Sequence, residues 1–141
     1  MTGRSVQKFM NELLKNKITE IISSMPKIQI ATVFGSYAKG CNHADSDVDI
    51  AIAADKPIHH KKMMQIKTDL TVALDKDIDL IDLNAVNGLI LKEALCSGNL
   101  ILKKNTLIYA NLIRKLIYYQ MDMMPYYSRI LKIRRENYFH A

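Results

Sequence analysis

Between residues 5 and 24 the apolar side chains Val6, Phe9, Met10, Leu13, Leu14, Ile18, Ile21 and Ile22 recur at three- and four-residue steps, the repeat that gathers one face of an α-helix. Pro26 ends it, because proline lacks the amide hydrogen a helix needs. Residues 28–34 are rich in β-branched side chains and stop at Gly35-Ser36, which predicts a short buried strand entering a turn, with one helical turn over residues 36–40. After a polar stretch, residues 47–52 alternate a carboxylate or alanine with Val48, Ile50 and Ile52. That period of two predicts a half-buried strand with Asp47, Asp49 and Ala51 on one face.

Residues 57–74 predict a helix. Residues 77–83 predict a third strand, again with alternating acids: Asp77 and Asp79 share a face and Asp82 points the other way. A helix over 86–97 stops at Gly98, residues 100–102 predict a short edge strand, and residues 106–138 are helical in character. In that last segment Leu107, Ala110, Leu112, Ile113, Leu116 and Ile117 form an apolar stripe that Pro125 should break or kink. No internal repeat, linker or low-complexity tract is visible. The order predicts an α/β or α+β fold, a small mixed sheet with helices packed mainly on one side.

A length of 141 residues with 49% hydrophobic content fits one compact domain. The formal charge of +6 favours polyanionic partners, whether nucleotide, nucleic acid or an acidic protein face. Cys41 and Cys96 stand in no metal-ligand spacing, so a disulfide framework is not expected and a reducing compartment is the default. The first residues carry no charged-then-apolar leader, and no run approaches the roughly 18 apolar residues of a membrane span. A cytoplasmic protein with no membrane contact is expected.

The chemistry concentrates in Gly35-Ser36, ten intervening residues (37–46), then Asp47-Val48-Asp49, with a second acidic strand at Asp79. Alternate strand positions place the Asp47 and Asp49 Cα atoms roughly 6–7 Å apart on one side, and two bare carboxylates so close repel one another unless a cation joins them. Mg²⁺ takes one or two carboxylates and completes its octahedron with water and substrate phosphate; the sequence has no His or Cys spacing suited to Zn²⁺. Gly35 permits a positive φ and close backbone approach, and the Ser36 hydroxyl with neighbouring N–H groups suits an anion cradle. Asp79 would either complete a second metal site or act as a general base.

These residues resemble the DNA polymerase beta nucleotidyltransferase superfamily, whose signature is Gly-Ser, a ten-residue gap and Asp-x-Asp, here Gly35, Ser36, Asp47 and Asp49. Within it, Gly35-Ser36-Tyr37-Ala38-Lys39-Gly40 through Ser46-Asp47-Val48-Asp49-Ile50 looks like the minimal nucleotidyltransferases, the antitoxins paired with HEPN toxins. Those usually carry Arg where this chain has Lys39, a change that keeps the cation but loses the bidentate fork. The resemblance covers roughly residues 20–102. It implies a single nucleotidyltransferase domain over 1–141, a catalytic core at about 20–102 and a C-terminal helical segment at about 106–138. It further implies Mg²⁺ held by Asp47, Asp49 and a third carboxylate matched to Asp79, with nucleotide contacts at Gly35, Ser36 and Lys39. The implied reaction is transfer of AMP from ATP to a tyrosine of a HEPN ribonuclease toxin, which silences the toxin within a stable hetero-oligomer.

Two other functions stay open from the sequence: an antitoxin that acts by occlusion alone, and a transferase for a small molecule or a nucleic acid end. The run Tyr118, Met121, Met123, Met124, Tyr126, Tyr127, Ile130 and Ile133 has the adaptable apolar character of an interface or a core. Lys132, Arg134 and Arg135 read as a solvated helix terminus, the spacing of Arg135 and His140 as chance, and nucleic acid is not expected as a partner. His59 and His60, before Lys61 and Lys62, read as a solvated helix start.

Overall fold

The predicted first helix forms as α1, Gly3–Ser23, in a computed structural model that describes residues 3–42 and 46–140. The side chains of residues 4, 123–128, 131 and 134–140 lie outside that description. So do the sequence readings that fall on Met123, Met124, Tyr126, Tyr127, Arg134, Arg135 and His140.

The α1 apolar residues divide between two faces. Leu14, Ile18, Ile21 and Ile22 pack on the sheet, while Val6, Phe9, Met10 and Leu13 are exposed. The chain then turns through Met25 N–H to Ile22 O and Ile28 N–H to Met25 O. These turn bonds delay β1 to Ile30–Phe34. One helical turn follows, α2, Ser36–Lys39, then β2, Val48–Ala53. The helix α3, His60–Leu74, begins later than residue 57 because His59 is its N-cap, its Nδ1 accepting the Lys61 N–H at 3.2 Å.

The third strand is β3, Ile78–Asp82. Next comes α4, Gly88–Lys92, which widens into a π-type turn over Glu93–Ser97. The chain then enters β4, Asn99–Lys103, and ends in α5, Thr106–His140. That last helix runs on through Pro125 without the predicted break; one missing backbone bond does not end a helix of 35 residues. Its core face is Ile108, Tyr109, Leu112 and Leu116, whereas Leu107, Ala110 and Ile117 of the predicted stripe are exposed.

The sheet order is β3-β2-β1-β4. β1 runs antiparallel to β2 and to β4, and β2 runs parallel to β3, so the sheet is mixed and β4 is an edge strand as predicted. The expectation of helices mainly on one side does not hold. α1 and α3 bury Ile18, Ile22, Ile66 and Leu70 against Val33, Val48, Ile50 and Ile52. On the opposite face, α4 and α5 bury Leu91, Ala94, Leu112 and Leu116 against Ile30, Ala51, Ala53 and Leu83. The acid-bearing face of β2 is therefore solvated only at its start. Beyond Asp49 it continues as Ala51 and Ala53, small enough for helices to pack closely, and both are fully buried. Burying each large aliphatic side chain contributes about 1.5–3 kcal/mol, so both layers hold the sheet.

Candidate active site

The site lies where the buried β2 face runs out toward solvent. β1 ends at Phe34, opposite Asp49 in the antiparallel register, and Gly35 turns the chain with φ 70° and ψ −146°. A side chain there is excluded twice over. The positive φ disfavours L-residues, and a Cβ on Gly35 would overlap the Asp49 Oδ2. The glycine thus brings backbone directly against a carboxylate.

α2 is held from both ends. Tyr37 is buried in the α1–α3 layer, and Gly40 closes the turn at φ 72° with its N–H on the Ser36 carbonyl. The residues after it are fixed by a feature the sequence did not signal. Asn11 of α1 and Asn42 exchange two hydrogen bonds, Asn11 Nδ2 to Asn42 Oδ1 at 2.8 Å and Asn42 Nδ2 to Asn11 Oδ1 at 3.1 Å. Both amides are buried, so each satisfies polar groups that would otherwise be stranded. This pair ties the chain leaving α2 to α1.

Asp49 is half-buried on β2 and is the parallel register partner of Asp79 on β3. Burial pushes the Asp49 carboxyl above its ordinary range, and the neighbouring Asp79, Asp47 and Glu93 carboxylates and a hydrogen bond with Asp79 raise it further. Asp47 is exposed just before β2 begins. Asp77 is exposed before β3, and its carbonyl accepts the Val48 N–H at 2.9 Å. Asp82 points away from this group, as its place in the alternation requires. It is buried, accepting from Ile58 N–H at 2.7 Å and Asn84 N–H at 2.9 Å, so it shapes the loop before α3.

Lys39 reaches across to Glu93 on the π-type turn, with Nζ 3.4 Å from Oε1. Glu93 was not singled out from sequence. It sits within a segment read simply as helix, and no spacing relates it to the acidic strands. The structure therefore gathers Gly35, Asp49 and Asp79, with Asp47 and Glu93 near enough to repel Asp49, and Lys39 beside Glu93.

This donor set fits a hard divalent cation. Mutually repelling carboxylates are relieved by a metal, and Mg²⁺ needs only one or two of them when phosphate oxygens and water supply the rest. Among the described residues no three His, Cys, Asp or Glu side chains form a ready-made cage. Among the described residues no helix is long and apolar enough to cross a membrane.

The chain is similar to known proteins over this same region. It is 33% identical over 90 residues to the protein adenylyltransferase MntA of Shewanella oneidensis, a match covering 63% of this chain and 65% of that relative's length. Its fold superposes on a solved toxin–antitoxin structure with AMP-PNP at a TM-score of 0.71 and 26% identity, covering 84% of this chain and 97% of the other. A likeness in fold extends to a structure of tri-AMPylated Shewanella oneidensis HEPN toxin in complex with MNT antitoxin, with a TM-score of 0.67, 23% identity, and coverage of 87% and 98%. Residues 16–107, which hold β1 through β4 and every acidic residue of the site, match the polymerase beta nucleotidyltransferase model, and the chain belongs to that family.

Proposed function

We propose that this chain is a Mg²⁺-dependent nucleotidyltransferase that moves AMP from ATP to a tyrosine hydroxyl of a partner HEPN-type ribonuclease toxin and thereby neutralises it. The observation that carries this reading is the pairing of Asp49 with Asp79 against the Gly35 turn. Carboxylates held together at a cost in repulsion, beside backbone stripped of its side chain, suit a metal-bound triphosphate. The likeness to a named protein adenylyltransferase and to a complex with AMP-PNP supports ATP as donor. The likeness to the MntA relative supports the protein acceptor.

In this mechanism Asp47 and Asp49 would hold Mg²⁺, with Asp79 as a third carboxylate beside them. When bound, the ion supplies charge neutralisation for the triphosphate and the departing pyrophosphate. The Gly35 backbone and the Ser36 hydroxyl receive the β and γ phosphates, and the Lys39 ammonium offsets their charge. The tyrosine oxygen forms a bond to the α-phosphorus, the bridging bond to the β-phosphate oxygen breaks, and pyrophosphate leaves with that electron pair. Asp79 takes the phenol proton.

Residues 1–141 act in this reading as a single minimal domain in the cytoplasm, with the core at about 20–102. The partner supplies the acceptor hydroxyl. A second reading, neutralisation by binding alone, is favoured by the exposed Ile117, Tyr118 and Met121 on α5, which offer an adhesive surface whether or not transfer occurs.

One experiment separates the two. Purified chain, the HEPN partner and α-labelled ATP are combined with Mg²⁺, with Asp47→Asn plus Asp49→Asn as control. Label on the partner that disappears in the double variant establishes transfer. A stable complex whose toxin is silent without label, and equally silent with the double variant, establishes occlusion.

A further inference from the structure

Lys39 and Glu93 lie 54 positions apart in sequence yet meet at 3.4 Å across the mouth of the site. Lys39 ends α2, the turn that follows Gly35. Glu93 opens the π-type turn Glu93–Ser97, and that turn is seated firmly on the end of β1. Ala94 is fully buried. A Cβ on Gly98 would overlap the Ala94 carbonyl within the turn itself and press to 3.2 Å from the Phe34 Cβ, so the turn closes tightly against the side chain of the residue that precedes Gly35. π-type turns insert one residue into a helical turn at a cost in hydrogen-bond geometry and cluster at functional sites. Here the turn presents Glu93 to the cradle from the opposite layer.

Glu93 adds a further negative charge to a region where Asp47, Asp49 and Asp79 already repel one another. A glutamate placed only for packing would be better replaced there by a neutral side chain. Both members of the pair are about half exposed, 56% for Lys39 and 44% for Glu93, and an ion pair so exposed adds little to stability. Its effect is on position. The lysine side chain is long and flexible, and an unheld ammonium would spread over many rotamers and lose that freedom on meeting a phosphate.

Resting on the nucleotidyltransferase reading, we propose that Glu93 is a positioning residue. It holds the Lys39 ammonium at the mouth of the cradle, where the ammonium keeps this contact while turning its remaining N–H groups to the β and γ phosphates of the incoming triphosphate. The pair persists in the complex, so the rotamer it selects in the free chain is the one the triphosphate meets.

The test is calorimetric binding of Mg²⁺–AMP-PNP and of AMP to the full chain, using wild type, Glu93→Gln, Lys39→Met and the double variant, with thermal unfolding to confirm that each folds. Glu93→Gln is expected to weaken AMP-PNP by about 5-fold, the scale of one exposed charge contact, and to leave AMP unchanged, since AMP lacks the phosphates Lys39 would meet. In the Lys39→Met background the same change is expected to have no effect. The proposal is overturned if Glu93→Gln tightens AMP-PNP, which would make Glu93 only a repelling charge. It is equally overturned by an unchanged affinity, or by a loss that persists without Lys39 or extends to AMP. If wild type binds no Mg²⁺–AMP-PNP, the nucleotidyltransferase reading itself fails, a result distinct from wild-type binding with no response to Glu93.

Discussion

Asp49 of β2 and Asp79 of β3 are register partners across the parallel strand pair, which sets two carboxylates at one level of the sheet with a hydrogen bond between them. Without a cation this arrangement opposes folding. The Asp49 pKa is raised above 3.8, by burial first and then by Asp79, Asp47 and Glu93. Between the ordinary and the raised value the folded state binds more protons than the unfolded one. Stability is therefore highest with Asp49 protonated and declines as pH rises through its folded pKa. In metal-free buffer at neutral pH, Asp49→Asn should raise the urea midpoint, with a gain of at most about 1 kcal/mol because the site is half-exposed and screened. The difference should vanish at a pH well below 3.8. The same variant should lose transfer by about 100-fold or more.

Magnesium should stabilise the chain by relieving that repulsion. At about ten times its dissociation constant the ion should add about 1.4 kcal/mol, read as a rise in melting temperature reversed by chelation. In Asp47→Asn plus Asp49→Asn the rise should be absent. An equal rise in that variant would place the ion elsewhere.

Gly35→Ala should fail for two reasons that act together. The positive φ of 70° costs an L-residue roughly 1–2 kcal/mol, and the new methyl displaces the Asp49 carboxylate. Circular dichroism melts should show a modest destabilisation, and AMP-PNP binding should fall below detection. Retained affinity would mean that the phosphates do not approach this turn.

Asp82 and Asp79 are expected to divide cleanly between structure and chemistry. Asp82→Ala leaves the Ile58 and Asn84 amides without their acceptor and should cost about 2–3 kcal/mol by denaturant titration. Asp79→Asn should not destabilise the chain, since it relieves the repulsion on Asp49, and should abolish transfer. The reverse pattern would mean that the two acids had been assigned to the wrong sides of the strand.

The Asn11–Asn42 amide pair is buried and reciprocal. Asn42→Ala strands the Asn11 amide and should cost about 1–3 kcal/mol. Replacing both with leucine should recover part of that loss, because no polar group is then left without a partner. Since the pair ties the chain after α2 to α1, nucleotide affinity should fall in Asn42→Ala even where the fold is intact.

Most of the elements and the acidic positions could be read from the chain because they rest on local periodicity. Asp47, Val48, Asp49 and Ile50 alternate, so the strand and the face of each acid follow from pleat geometry. Gly35-Ser36 after a β-branched run marks a strand running into a turn by backbone sterics alone. The same reasoning placed Asp82 opposite Asp79, and the structure agrees.

What the tertiary structure decided is everything that depends on which surfaces meet. Periodicity assigns residues to faces but does not say which face a helix will cover. α4 and α5 bury the Ala51 and Ala53 face of β2, where helices mainly on one side of the sheet had been expected. The apolar residues of α1 and α5 divide between core and surface. Glu93 reaches Lys39 only because a π-type turn packs on the end of β1. Asn11 finds Asn42 through the closing of α1 over the sheet. Each of these is a contact between distant segments, fixed by packing and polar satisfaction across the folded chain, and local spacing carries no record of it.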